Sequence, residues 1–207
     1  MKNSQGVRRI GVMGGTFDPI HVGHLVTAEA VRHEYDLERV IFIPASQPPH
    51  KQNSAVTKAL HRYIMTAMAT YSNPFFFVSD IELNRPGPSY TIDTMKALIS
   101  QYGENTDFYF ITGVDAVQDL STWHNVRELL ALCHFVAATR PGSVGTIDDV
   151  LNYFGVQGRE RIHRLATPEL EISSTDIREK VKKGLSIRYI VPESVENYIW
   201  KERLYQE

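Results

Sequence analysis

Short apolar runs alternate along the chain with stretches whose apolar residues recur at helical spacing. Ile10-Gly11-Val12-Met13 and Val40-Ile41-Phe42-Ile43 read as buried strands, the second stopped by Pro44. The runs at 75–79, 107–112 and 135–138 predict three more strands. Helices are expected between them, over 25–35, 58–71, 91–102 and 126–132. The first carries Leu25, Ala28, Val31 and Tyr35 along one side, and Gly103 ends the third. This alternation predicts an α/β fold: a mainly parallel sheet with helices on both faces. Ligands of such sheets bind beyond the carboxyl ends of the strands. The glycines fall there, Gly14 and Gly15 after the first strand and Gly113 after the fourth. The tail differs. After 162–166 come two helical patterns, 175–183 and 192–200, which predict a small C-terminal helical cap. An α/β core over 1–170 and a helical segment over 171–207 are therefore expected. Residues 44–56, polar and proline-bearing, read as a long surface loop of the kind that is often functional.

Composition narrows the classes. A chain of 207 residues with 43% hydrophobic residues can bury an ordinary core. A net charge of −2 argues against a nucleic-acid coat but allows a local basic pocket. The lone cysteine, Cys133, lies in an apolar run and reads as a core residue; no internal disulfide can form. The start lacks a signal-peptide pattern and no apolar run is long enough to span a bilayer, so a cytoplasmic protein without membrane partners is expected.

The informative stretch is Gly14-Gly15-Thr16-Phe17-Asp18-Pro19-Ile20-His21-Val22-Gly23-His24. Glycines directly after a strand let backbone approach a ligand closely. His21 and His24, three apart, project on one side of a helix that starts near His21. The unpaired N–H groups at that end, the dipole and the two imidazoles together suit phosphate oxygens, and Gly23 leaves room for a phosphate chain. A metal site would need a third ligand, and none lies nearby in sequence. A second stretch, Ile172-Ser173-Ser174-Thr175-Asp176-Ile177-Arg178, reads as a capped helix start, with Ser173 and Asp176 matching the capping-box pattern, or as an anion clamp with Arg178 on the first turn.

These two motifs together resemble the HxGH nucleotidyltransferase superfamily. The fuller Gly14-to-His24 string resembles the bacterial nicotinate-mononucleotide adenylyltransferases within it. So do Pro48-Pro49-His50-Lys51, Ser89-Tyr90-Thr91, Gly113-Val114-Asp115 followed by Trp123, and the ending Val191-Pro192 with Val195, Tyr198 and Ile199. The resemblance implies a Rossmann-like core whose C-terminal segment completes an ATP site. It implies transfer of AMP from ATP to nicotinate mononucleotide, giving deamido-NAD and pyrophosphate. ATP would meet Gly14, Gly15, Thr16, Phe17, His21, His24, Gly113, Asp115, Ile172, Ser174 and Arg178. The mononucleotide would meet Thr16, Phe17, Lys51, Thr91 and Trp123. His21, His24, Arg178 and Lys51 would carry the chemistry, with Asp115 at the ribose, Trp123 stacking on the pyridine and Arg140 near ATP. Asp115 also reads as a helix N-cap, Trp123 as core packing and Lys51 as a solvated loop residue. A magnesium ion would arrive bound to substrate, since no dedicated carboxylate cage is evident. A homodimer is one arrangement left open.

Two other readings stay in view. One is a sibling phosphopantetheine or cytidylyl transferase, against which stand Phe17-Asp18-Pro19, the 48–51 loop and Trp123. The other is a non-catalytic nucleotide sensor, against which stand His21, His24 and Arg178.

Overall fold

The computed structural model describes residues 7–48, 56–139, 147–168 and 170–206. Among these, six strands form one parallel sheet: β1 (Arg8–Gly15), β2 (Arg39–Pro44), β3 (Phe76–Val78), β4 (Thr106–Gly113), β5 (His134–Thr139) and β6 (Ile162–Ala166). Their order across the sheet is β3-β2-β1-β4-β5-β6. The chain reverses its direction of travel between β1 and β4, and an open α/β sheet leaves a crevice at that point. Gly14 and Gly15 end one wall of it and Gly113 the other.

Strand alternation divides the core into two layers. Ile10, Val12, Ile41, Ile43, Phe108 and Phe110 face α3 (Thr91–Tyr102), α5 (Val126–Leu132) and α6 (Ile147–Phe154). Met13, Val40, Phe42, Tyr109 and Ile111 face the other way, onto α1 (Val22–Glu34), α2 (Ala59–Thr70), α8 (Ser174–Lys182) and α9 (Glu193–Lys201). Ile177, Val181, Val195 and Ile199 of the last two helices are fully buried in this second layer. The C-terminal helices thus complete the layer begun by α1 and α2, and they bring Tyr205 back to Asp18 in the loop after β1.

Most expected elements form within a residue or two of their predicted bounds. Three helices were not anticipated. The helices α4 (Val114–Gln118) and α7 (Val156–Arg161) are too short to show a period. In α6, Ile147, Val150 and Phe154 do recur at helical spacing. The expected N-cap role of Asp115 falls instead to Gly113, and Asp115 sits in the first turn of α4. Cys133 is buried in the core and its Sγ donates to the Leu129 carbonyl. No helix among the described residues is long and apolar enough to cross a membrane.

Candidate active site

The crevice holds two clefts that share Gly14 and Gly15 as a common wall. The first, about 510 Å³, is lined by Thr16, Thr91 and Trp123. The second, about 480 Å³, is lined by Phe17, His21, His24, Gly113, Asp115, Ile172 and Ser174. Residues expected at a mononucleotide and residues expected at ATP therefore segregate into neighbouring cavities. Three depart from that sorting: Phe17 lines the second cleft alone, Thr16 the first alone, and Arg178 neither. Lys51 and Arg140, with Pro49 and His50, lie outside the described residues.

The second cleft is built on the loop between β1 and α1. Phe17 adopts φ 48°, a left-handed conformation unusual for a bulky residue. The surrounding packing holds it there. Its ring is buried and meets the His24 ring edge-on at 5.1 Å and Phe42 at 6.0 Å. Glycine at 15 leaves this ring its space: a Cβ there would stand 3.0 Å from the Phe17 ring, tighter than ordinary packing. His21 caps α1 in extended backbone, and His24 follows one turn later. Their rings stack with centroids 3.7 Å apart.

The bond pattern assigns the protons. The His21 backbone N–H donates to Nδ1 of His24 at 3.2 Å, so His24 carries its proton on Nε2. Burial, aided by neighbouring His21, holds the His24 pKa well below its ordinary 6.5. Burial alone lowers His21 to about 4, in keeping with its 7% exposure. Both rings are thus neutral at pH 7: they offer N–H donors rather than cations. Nδ1 of His21 is buried without a partner and faces Gly23, where a Cβ would lie 3.0 Å away. Gly23 therefore makes room first for the His21 ring, and only through it for whatever fills the cleft.

The helix end contributes fewer free donors than expected. The His21 N–H is committed to His24, and the Val22 N–H donates to the Ile190 carbonyl at 3.0 Å. The second motif also has commitments. Ser173 caps α8, its Oγ accepting from the Asp176 N–H at 3.1 Å. The Ser174 hydroxyl donates to the Pro19 carbonyl at 2.8 Å. Arg178 donates to the Asp18 carbonyl at 2.7 Å and to the Thr175 hydroxyl at 3.2 Å. Ser174 still borders the second cleft, whereas Arg178 stands behind the loop and lines neither cleft. The capped helix start is therefore observed, and the Ser174 and Arg178 donors of the expected anion clamp grip the loop's carbonyls.

In the first cleft, Trp123 meets Phe110 and Phe135 edge-on, each at 5.9 Å, so one edge packs on the core while the residue borders the cavity. Thr91 is the first residue of α3, whose N-terminal end carries a partial positive charge toward this cavity. The rim is tied at 47 and 89: the Ser89 N–H donates to the Gln47 carbonyl at 3.0 Å, and Ser89 Oγ accepts the Gln47 N–H at 3.2 Å.

Sequence reasoning missed Glu82, Arg62 and His124. Glu82 borders the first cleft and is buried; it accepts from the Thr94 hydroxyl at 2.6 Å, and its Oε2 has no partner. Arg85 also donates to Thr94, at 3.0 Å, which brings a positive group close to this carboxylate. His124 stacks on Tyr90 at the cavity's edge. No spacing or motif marks these residues in the chain; only packing does. Among the described residues, no group of three or more His, Cys, Asp or Glu side chains could hold a metal ion.

Strand order and paired clefts define an open, doubly wound α/β class with its crevice between β1 and β4, and a cytidylyltransferase-like family model matches residues 12–180. A probable nicotinate-nucleotide adenylyltransferase of Thermoanaerobacter sp. is 56% identical over 200 residues, covering 96% of this chain and 95% of that protein. Its counterpart in Moorella thermoacetica is 52% identical over 199 residues, covering 96% and 92%. A solved Plasmodium falciparum nicotinic acid mononucleotide adenylyltransferase complexed with NaAD shares the fold, with a TM-score of 0.77 at 22% identity over 96% of this chain and 97% of that one. The chain belongs to the nicotinate-nucleotide adenylyltransferase family within the cytidylyltransferase-like class.

Proposed function

We propose that the protein is an adenylyltransferase that joins the AMP part of ATP to nicotinate mononucleotide, releasing pyrophosphate and giving deamido-NAD for NAD synthesis. The observation that carries this reading is the pair of clefts meeting at Gly14 and Gly15, with the stacked histidines on one side of the junction. Two phosphate-bearing substrates laid in those clefts would bring their phosphates together at the shared wall.

The reaction needs little from acids and bases. The mononucleotide phosphate is already largely anionic at neutral pH. One of its oxygens attacks the α-phosphorus of ATP; the bond to the bridging oxygen breaks in line, and pyrophosphate leaves with the electron pair. Catalysis is then positioning and charge stabilisation. His24, with its proton fixed on Nε2, donates to the transferring phosphate as charge builds, and His21 donates beside it. Ser174 and Arg178 take the β- and γ-phosphates, exchanging a loop carbonyl or the Thr175 hydroxyl for phosphate oxygens. Gly113 and Asp115 receive the adenosine, with Asp115 accepting from ribose hydroxyls. Trp123 stacks on the pyridine, and the start of α3 with the Thr91 hydroxyl faces its carboxylate. Within residues 171–207 it is Ile172, Ser174 and Arg178 that complete the ATP site, and Lys51 serves the phosphates as a point charge. Magnesium would arrive with ATP and would supply charge neutralisation along the phosphate chain; among the described residues no cluster of His, Cys, Asp or Glu would hold it. The reaction belongs to the cytoplasm.

The test is pyrophosphate release from ATP with nicotinate mononucleotide, nicotinamide mononucleotide or phosphopantetheine as acceptor. Turnover should be fastest with the nicotinate compound, and His24→Ala should lower it by about 10²-fold, the usual loss for one preorganised donor. Release with phosphopantetheine alone would move the protein to the sibling class; no release with any acceptor would make it a sensor.

A further inference from the structure

Behind the phosphate loop lies a polar cluster that borders neither cleft and that the chemistry above does not use. Its centre is Asp18, 4% exposed. One carboxylate oxygen accepts from the Tyr205 hydroxyl at 2.7 Å, the other from the Thr57 N–H at 3.2 Å. Next to it Arg62 of α2 is 1% exposed, its side chain among the largest fully buried ones. The guanidinium donates to three carbonyls: Thr16 at 2.7 Å, Thr57 at 2.8 Å and Ser46 at 3.2 Å. Four segments remote in sequence meet here: the loop after β1, the turn after β2, the start of α2 and the last residues of the chain.

A buried cation and carboxylate seldom stabilise a fold more than an apolar pair of the same volume would. What this arrangement supplies is register. A planar fork with three fixed donors sets the mutual position of three loops as no apolar contact could. Two of those loops border the first cleft, at Thr16 and at Ala45 and Pro48 on either side of Ser46. The tail is held just as specifically. Arg203 and Tyr205 have φ of 53° and 63°, conformations that persist in non-glycine residues only where the surroundings over-determine them. Burial and the Asp18 carboxylate push the Tyr205 phenol well above its ordinary pKa, so its hydroxyl remains a donor across the working range.

We propose that Tyr205 and Arg62 are positioning residues of the transfer reaction: through Asp18 and Thr16 they clasp the phosphate loop from behind and fix His21 and His24 against the transferring phosphate. The inference rests on the adenylyltransferase reading. It predicts that removing one hydroxyl at the end of the chain slows chemistry at a site that hydroxyl never touches.

The experiment compares Tyr205→Phe with Tyr198→Phe in the full-length protein. Tyr198 of α9 also loses one buried-side hydrogen bond, its hydroxyl lying 2.8 Å from Nδ1 of His61, but that bond does not reach the loop. Steady-state pyrophosphate release and melting temperature are measured for both and for the parent. Tyr205→Phe should lower kcat about tenfold with the KM for ATP changed less than twofold, since small misplacements of reacting groups cost rate more than binding. Tyr198→Phe should keep the parent's kcat while melting at a similar temperature to Tyr205→Phe. Arg62→Lys, which keeps the charge and loses the fork, should also raise the KM for the mononucleotide several-fold; where it does not fold, the tyrosine pair still decides. An active parent with equal kcat in Tyr205→Phe overturns the clasp alone, as does a loss of rate equal in the two tyrosine variants. A parent that releases no pyrophosphate overturns the reading of the site and this inference with it.

Discussion

Gly23→Ala separates stability from activity more cleanly than any other change at the site. Gly23 lies in the first turn of α1 with no strained backbone. Alanine there meets no backbone penalty, and its greater helix propensity contributes up to about 1 kcal/mol that offsets the cost of shifting the His21 ring. The new Cβ would stand 3.0 Å from Nδ1 and 3.1 Å from Cε1 of His21, tighter than ordinary packing, so the ring must give by a few tenths of an ångström. It is not free to do so without consequence. The ring is buried and stacked on His24 at 3.7 Å, and His24 is pinned by the His21 N–H and by the edge of Phe17. The displacement passes to both imidazoles. A 1 Å misplacement costs about 10²-fold in rate; a few tenths should cost about tenfold in kcat. Stopped assays of pyrophosphate release at saturating substrates give kcat, and a thermal melt gives stability. The expected result is a melting temperature at or above the parent's with kcat reduced about tenfold. Parent-like kcat would refute the reasoning, since it would mean that the histidine pair tolerates displacement and is not positioned for the transfer. A large fall in melting temperature would refute it differently, by showing that Gly23 is needed for folding.

Three further outcomes follow from the same geometry. Arg178→Lys should weaken ATP and pyrophosphate binding while the fold survives, because lysine keeps the charge but lacks the fork that could hold the Asp18 carbonyl and a phosphate oxygen together; equal affinities by titration calorimetry would make Arg178 purely a tie to the loop. Thr91→Val should erode the preference for nicotinate over nicotinamide mononucleotide, worth about ten- to a hundredfold, whereas Trp123→Ala should weaken both acceptors alike; a parent that uses the two acceptors equally would remove the basis for either effect. Finally, stability should fall as the solution is acidified below neutrality. His21 titrates near 4 when folded against 6.5 unfolded, so between those values the unfolded chain binds more protons and stability declines as pH drops. For His21 alone this amounts to about 2 kcal/mol at pH 5. Half-buried His134, also lowered to about 4 by burial and by nearby Arg161, adds to the same window. Urea titrations at pH 7.5 and 5 check it: His21→Asn should show a shallower loss than the parent, and parallel losses would remove His21 as a cause.

The chain's own order of residues determined the frame. Short continuous apolar runs specify five of the six strands and helical periodicity the principal helices, because a strand buried on both faces is apolar throughout while a helix buried on one face carries that face's spacing. Gly14, Gly15 and two histidines three apart are local features that one loop and one helical turn bring together; Gly113 joins them only through the pairing of β1 with β4. Short elements such as α4 and α7 were not legible, since five or six residues hold too little period. What only the tertiary structure decided are the relations between distant segments. Arg62 is one polar residue in a helix until folding gathers the carbonyls of Thr16, Ser46 and Thr57 around it. Tyr205 meets Asp18 across nearly the whole chain, Glu82, which no motif marks, faces Thr94 at the first cleft, and Arg178 and Ser174 turn toward the loop rather than away from it. Nor did spacing show that both histidines would be neutral, for that depends on burial and on which nitrogen is already bonded. A linear pattern records which side chains one element can present; hydrogen bonds, desolvation and steric clearance are properties of the partners, and the partners are chosen only when the chain folds.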